Sequence, residues 1–245
     1  MRRCNPVAAI RRVLATDIDG TLIGHGGEEE VRDYLVAHPE LGIIYLTGRT
    51  LNNACALIGR YGFPNPLAIA TDVGADIFWG PNLEADEFWA FEQRRYWSPR
   101  RLRTALSNVP GVIYRGRSSH WRVAFELDDL TLVSVVKSCL ARNHLPARIL
   151  WYPDERRLDI LPCTALKSRA LHYILRRVGV KAQNCFVAGN AENDGDMLSN
   201  HYPGVLVANG DAAVRNCLPE WIMRSSYPGA LGVLDGLQQW LDQNR

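Results

Sequence analysis

No C-x-x-C pair, no apolar run of transmembrane length, no internal repeat and no low-complexity tract occur in this 245-residue sequence. Each absence removes a class of protein. The six cysteines, Cys4, Cys55, Cys139, Cys163, Cys185 and Cys217, lie scattered. That argues against a disulfide framework and for free, mostly buried thiols in a reducing compartment. Without about 20 consecutive apolar residues no helix can span a bilayer, so no membrane partner is expected. Met1–Arg12 has charges at both ends and no long apolar stretch, so it does not read as a signal peptide. A soluble, cytoplasmic protein is the expectation. Nor does one sign of charge dominate, with 28 basic against 26 acidic residues. Basic residues gather at Arg2-Arg3, Arg11-Arg12, Arg94-Arg95, Arg100 to Arg103 and Arg115 to Arg117. These clusters are too short for a nucleic-acid-binding tail, and a solvated surface or an anionic small substrate suits them better.

What is present is an ordinary globular composition, 47% hydrophobic and 22% charged, long enough for one large domain or two modest ones. Its organising stretch is Asp17-Ile18-Asp19-Gly20-Thr21, directly after the apolar run from Val13. An apolar run that ends in two acids and a glycine reads as a buried parallel strand. It carries carboxylates to its C-terminal edge, where open α/β sheets hold their ligands. Residues two apart on extended chain face the same way, so Asp17 and Asp19 can share one pocket. Two carboxylates that close need a cation or a shared proton. The competing reading is an Asp-rich turn that caps a helix.

Glu28-Glu29-Glu30 opens a helix with acids at its positive end, and His38-Pro39 stops it. Residues 41–46 predict a second buried strand ending in Thr47-Gly48-Arg49-Thr50. A helix through Leu51, Cys55 and Ile58 follows, then a third strand at 67–70 ending in Thr71-Asp72-Val73-Gly74. This alternation implies a parallel sheet with right-handed crossovers. From 80 to 154 it lapses. There 122–127 alternates like a half-exposed antiparallel strand, while Leu132, Val136, Cys139 and Leu140 recur at helical spacing. Two short strands, 149–152 and 158–161, flank a Pro153-Asp154 turn. The first pattern then resumes with the stripe Leu171, Ile174, Leu175 and Val178, Lys167 lying near its start. Strands at 185–188, 205–208 and 221–223 and a helix over 231–241 complete it. The expected fold is α/β: a Rossmann-like doubly wound parallel sheet core from 1–79 and 155–245, with an inserted α+β domain at 80–154.

Each polar cluster picked out in the core falls at a predicted strand end or helix start. In order and type, D-I-D-G-T, L-T-G-R, Lys167 and G-N-A-E-N-D-G-D-M resemble the four motifs of the haloacid dehalogenase superfamily of phosphotransferases. The insertion resembles the α/β cap of its type IIB branch. T-G-R-T, D-V-G-A-D-I, L-D-I-L-P and S-S-Y-P-G-A-L are similar to segments of sucrose-phosphate phosphatases and their relatives. The resemblance, which runs from about Val13 onward, implies a phosphatase that hydrolyses a sugar phosphate through an aspartyl-phosphate. Sucrose 6-phosphate leads, with mannosylfructose, glucosylglycerol, trehalose and mannosylglycerate phosphates as alternatives. It makes Asp17 the nucleophile and Asp19 the acid/base. Thr47, Gly48, Lys167 and Asn193 would hold the phosphate. Asp17, Asp19 (through its backbone carbonyl), Asn190 and Asp194 would hold Mg2+. It further implies a specificity-setting cap, a monomer, a small-molecule substrate and a glycosyltransferase as partner.

The residue types suit that chemistry. A dianionic ester resists attack until its charge is screened, and a covalent intermediate splits one hard step into two. Proton transfer at the leaving oxygen contributes about 10²–10⁴-fold. Magnesium suits oxygen donors around a phosphate, and lysine serves as a point charge. Plainer roles compete at several positions. Thr47 also suits a helix N-cap, Arg49 a core carboxylate, Asp72 a turn, and His120 and Trp121 aromatic packing. One position departs from the superfamily pattern, G-D-S-x-N-D: its first acid is replaced by Asn190. Glu192, Asp194 or Asp196 could compensate at the metal. The substitution also keeps open a sugar-phosphate-binding domain without turnover and, third, a phosphomutase. Intact Asp17, Asp19, Thr47 and Lys167 favour hydrolysis.

Overall fold

Apolar runs without polar alternation build the centre of the larger sheet. β1 (Arg12–Thr16), β2 (Leu41–Leu46) and β3 (Ala68–Thr71) read R-V-L-A-T, L-G-I-I-Y-L and A-I-A-T and are buried almost throughout. Parallel strands covered by helices on both faces require this. The computed structural model describes residues 10–95 and 97–244; Arg2, Arg3, Cys4 and the rest of the chain before Ile10 lie outside the described residues. α1 (Glu28–Ala37) and α2 (Leu51–Tyr61) are the first crossovers. After β3 the chain doubles back as β4 (Asp76–Trp79) and β5 (Glu84–Ala85), which pair antiparallel along the sheet edge.

The segment Asp86–Ala165 is one compact unit; the chain up to Ala85 together with Leu166 onward forms the other. The inserted unit holds α3 (Glu87–Arg94), α4 (Pro99–Leu106), β6 (Val112–Ser119), β7 (Arg122–Leu127), α5 (Leu132–Arg142), β8 (Ala147–Tyr152) and β9 (Arg157–Pro162). Its antiparallel sheet runs β6-β7-β9-β8. Leu102 and Leu106 of α4 and Val136 and Leu140 of α5 pack on Val123, Phe125 and Ile160. The unit starts and ends later than 80–154. β4 and β5 finish the core sheet, whereas β9 is hydrogen-bonded between β7 and β8.

The core resumes with α6 (Lys167–Val178), β10 (Cys185–Gly189), α7 (Gly195–Leu198), β11 (Gly204–Leu206), α8 (Ala212–Cys217), β12 (Ile222–Arg224) and α9 (Gly229–Gln243). Its sheet order is β12-β11-β10-β1-β2-β3-β4-β5, so the order reverses between β1 and β10. A crevice forms at the carboxyl ends of strands where such a reversal occurs. α9 seals one face through Ala230, Val233 and Leu237, and Trp240 stacks on Phe186 with ring centres 5.4 Å apart.

All five described cysteines are free, but only Cys139 and Cys185 are buried. The expectation of mostly buried thiols is therefore too strong; Cys217, for one, ends the short helix α8 at the surface. No helix among the described residues is long and apolar enough to cross a membrane.

Candidate active site

Asp17 extends β1 by one residue, its amide donating to the Ala188 carbonyl at 3.0 Å. A tight turn follows. The Ile18 carbonyl accepts from the Leu22 and Ile23 amides, both at 3.0 Å, and the Gly20 amide donates to the Ile23 carbonyl at 2.8 Å. Gly20 has φ +75, and a Cβ there would lie 2.5 Å from Asn190 Nδ2, so glycine is required. Beyond the turn, Glu28 Oε1 accepts from the Gly24 and Gly26 amides at 2.8 and 3.3 Å. Burial opposes the Glu28 charge, but those amides outweigh it and hold the carboxyl below its ordinary value.

α6 begins at Lys167, a cation at the positive end of a helix, where the dipole disfavours it. Two carboxylates hold it there. Lys167 Nζ donates to Asp17 Oδ1 at 2.5 Å and to Asp194 Oδ1 at 2.7 Å. Asp17, Lys167 and Asp194 are respectively 4%, 0% and 0% exposed, so three charges carry a net −1 out of water. Burial works against the Lys167 charge, but the two carboxylates overcome it and raise the ammonium above its ordinary value. Burial likewise pushes the Asp17 carboxyl up, to about 7, against the pull of Lys167 and with the push of Asp194.

Asp194 Oδ2 accepts from the Asn190 and Ala191 amides at 2.9 and 3.0 Å. Close approach makes this possible, since a Cβ on Gly189 would lie 2.6 Å from that of Asp194. Both Asp194 oxygens thus accept from protein donors, Oδ1 from Lys167 and Oδ2 from the two amides. It holds Lys167 and shapes the loop. Asp196, named as a substitute ligand, accepts from Ser168 N and Oγ at 3.0 and 2.8 Å and so caps α6. Asn190 does face the first motif: the Thr21 hydroxyl donates to its Oδ1 at 2.9 Å.

Thr47 directly follows β2 and is wholly buried. Its amide donates to the Ala70 carbonyl, its carbonyl accepts from Val73, and its hydroxyl accepts from the Arg49 amide. It does not cap α2, which starts after Thr50. Asp72 and Val73 take φ of +48 and +61, the turn expected of Asp72. Asn193 packs toward Gly48, its Nδ2 3.8 Å from where a Gly48 Cβ would stand. Arg49 pairs with Asp19, donating from Nε and Nη2 at 2.6 to 3.0 Å. The Asp19 side chain is 49% exposed. The structure therefore joins Asp17, Lys167 and Asp194 directly, and pairs Asp19, two residues beyond Asp17, with Arg49. Asp211 escapes the sequence reading. Its amide donates to the Asn190 carbonyl at 2.8 Å and its Oδ2 accepts from the Glu192 amide at 3.0 Å. Its signal is its place just beyond a parallel strand end. In the inserted unit, His120 meets Trp121 edge-on at 4.5 Å, with Trp121 buried, which is the aromatic packing anticipated.

No group of three or more His, Cys, Asp or Glu side chains that could hold a metal occurs among the described residues. The turn and the fourth motif offer hard oxygens instead: the Asp17 carboxylate, the Asp19 carbonyl and the Asn190 amide oxygen. Magnesium fits such a set, because it takes one or two carboxylates and completes its shell with waters and substrate phosphate oxygens.

A family model described as sucrose-6F-phosphate phosphohydrolase matches residues 10–241. Glucosylglycerol-phosphate synthase of Pseudomonas anguilliseptica is 26% identical over 235 residues, 91% of this chain but 30% of that protein. The chain thus spans less than a third of that relative's length. Mannosylfructose-phosphate phosphatase of Agrobacterium fabrum is 26% identical over 250 residues, covering 94% of this chain and 96% of the relative. The sucrose-phosphatase of Synechocystis, solved with sucrose and phosphate, matches at TM-score 0.82 and 20% identity over 94% of this chain and 98% of that one. At that identity the likeness establishes the fold.

Proposed function

The chain belongs to the sucrose-6F-phosphate phosphohydrolase family of haloacid dehalogenase-type phosphoric monoester hydrolases, and we propose that it releases phosphate from a phosphorylated disaccharide or glycoside. Sucrose 6-phosphate is the first candidate; mannosylfructose and glucosylglycerol phosphates follow, in keeping with the relatives' names. The observation that carries the reading is the buried Lys167 bridging Asp17 and Asp194, with Asp19 two residues beyond Asp17.

The Lys167 contact occupies Asp17 Oδ1 and leaves Oδ2 outside it. In the proposed first step that oxygen attacks phosphorus, the bond from phosphorus to the sugar oxygen breaks, and Asp19 supplies the proton the sugar oxygen needs. In the second, water attacks the aspartyl-phosphate, Asp19 takes its proton, and inorganic phosphate leaves with Asp17 restored. Lys167, Thr47, Gly48 and Asn193 hold the phosphoryl oxygens in place. An Asp19 that delivers a proton cannot keep the two-pronged Arg49 clasp, so Arg49 changes partner during the cycle. Magnesium, held by Asp17, the Asp19 carbonyl and Asn190, would offset charge on the phosphoryl group. Intact Asp19 and Lys167 support turnover over binding alone. We propose further that the protein acts as a cytoplasmic monomer, with the inserted unit choosing the sugar and a glycosyltransferase supplying the ester. The test is a phosphate-release screen of phosphorylated disaccharides, glycosides and monosaccharides with magnesium. Release from sucrose 6-phosphate or a related glycoside phosphate well above that from monosaccharide phosphates is expected. Release from none overturns the reading.

A further inference from the structure

Gly20 is the softest joint of the catalytic turn, because glycine resists rotation about φ and ψ least. Its carbonyl accepts a hydrogen bond from Asn209 Nδ2 at 2.8 Å, and Asn209 Oδ1 in turn accepts from the Gly229 amide at 2.7 Å. Asn209 lies on the loop after β11, and Gly229 is the first residue of α9. One side chain thus spends its donor and its acceptor to tie the turn to a helix anchored in the core by Ala230, Val233 and Leu237. Asn190 bears on the same glycine, packing against its Cα side and receiving the Thr21 hydroxyl. The Asn209 loop also braces Asn190 through the Asp211 amide.

The consequence falls on Asp19. Its carboxylate is half exposed and held by Arg49. Once Arg49 is drawn to a substrate, the backbone turn sets where that carboxylate stands. We propose that Asn209 is a positioning residue: by fixing the Gly20 carbonyl it locks the turn so that Asp19 meets the leaving oxygen. This rests on the reading of Asp19 as acid/base. A general acid matters most when the leaving group is a poor one, which gives the role a signature that simple loss of folded protein lacks.

Asn209→Asp keeps an acceptor for the Gly229 amide and removes the donor to Gly20. Asn209→Ser, too short to reach both partners, is the second variant should the first fold poorly. The measured quantity is kcat/KM on sucrose 6-phosphate, whose sugar oxygen needs a proton to leave, and on 4-nitrophenyl phosphate, whose phenolate does not. For both variants a fall of about tenfold or more on the sugar ester is expected, against less than about threefold on the aryl ester. Amide exchange at Gly20 and Ile23 should quicken without a matching change in Tm. Equal losses on the two esters, or no loss on either, overturn the inference. Asp19→Asn is the control. If it shows no preference for the aryl ester, the role of Asp19 itself fails, and the inference fails with it.

Discussion

The Thr21 hydroxyl donates to the Asn190 amide oxygen at 2.9 Å, so the neutral residue of the fourth motif is oriented by the first motif. An aspartate at that position would keep the same acceptor. Asn190→Asp therefore adds one negative charge without a change of shape. At an effective dielectric near 20, a charge about 4 Å from a cation is worth about 4 kcal/mol per unit charge before desolvation is subtracted. The expected net result is magnesium binding tighter by about tenfold or more, measured by calorimetry on both proteins. Unchanged or weaker binding in Asn190→Asp would remove Asn190 from the metal site.

Asp17→Asn is expected to keep the fold and lose turnover, because an amide cannot form the acyl-phosphate. Asp19→Asn is expected to lose at least about a hundredfold for a different reason, the missing proton transfer. Rapid-quench labelling separates the two: phosphoenzyme is absent in the first and forms slowly in the second. Sustained phosphate release by pure Asp17→Asn would assign the nucleophile elsewhere.

Lys167→Met leaves Asp17 and Asp194 buried with no cation between them. Breaking such a pair costs about 3–5 kcal/mol, far more than a surface lysine would. Urea unfolding should register that loss, and adding Asp194→Asn should recover part of it because one buried charge is then gone. A Lys167→Met protein as stable as the wild type would contradict the burial of the triad.

Glu28 carries a pH signature. Its folded carboxyl lies below the ordinary 4.5, so its stabilising contribution is complete above that value. The contribution is lost as pH falls from 4.5 through the lower folded value. The stability gap between wild type and Glu28→Gln should be constant from pH 7 to 5 and shrink below 4.5. A gap that widens in acid would reverse the assignment.

Asp17, Thr47 and Lys167 were legible because each follows an apolar run or opens an apolar stripe, and Asp194 because it closes the polar run after β10; parallel topology gathers such ends on one edge. The partner of Arg49 was not, since an arginine at a strand end suits a substrate and a carboxylate equally; the structure gives it to Asp19. The donors that meet Asp194, Lys167 and the Asn190 and Ala191 amides, were not legible either, because sequence shows an acid but not what the fold brings to its oxygens. α3 was hidden for a packing reason. It buries Trp89, Ala90 and Gln93 while Phe88 and Phe91 stand 62% and 59% exposed, which blurs the apolar stripe. Asn209 gave no signal at all, as its worth lies in two backbone groups that only the fold brings near.

The pairing of β1 with both β2 and β10 governs the order in which a growing chain can assemble. Val13 finds Gly42 early, but its other neighbour, Cys185, emerges only after the whole inserted unit has been synthesised. The inserted unit pairs strands close in sequence and pays little in loop closure. It can fold while β1 still presents an open edge, the state in which strands are prone to pair with the wrong chain. Lys167 and Asp194 also arrive late, so a nascent chain carries Asp17, the nucleophile on the proposed mechanism, long before the lysine that bridges it to Asp194 in the folded protein.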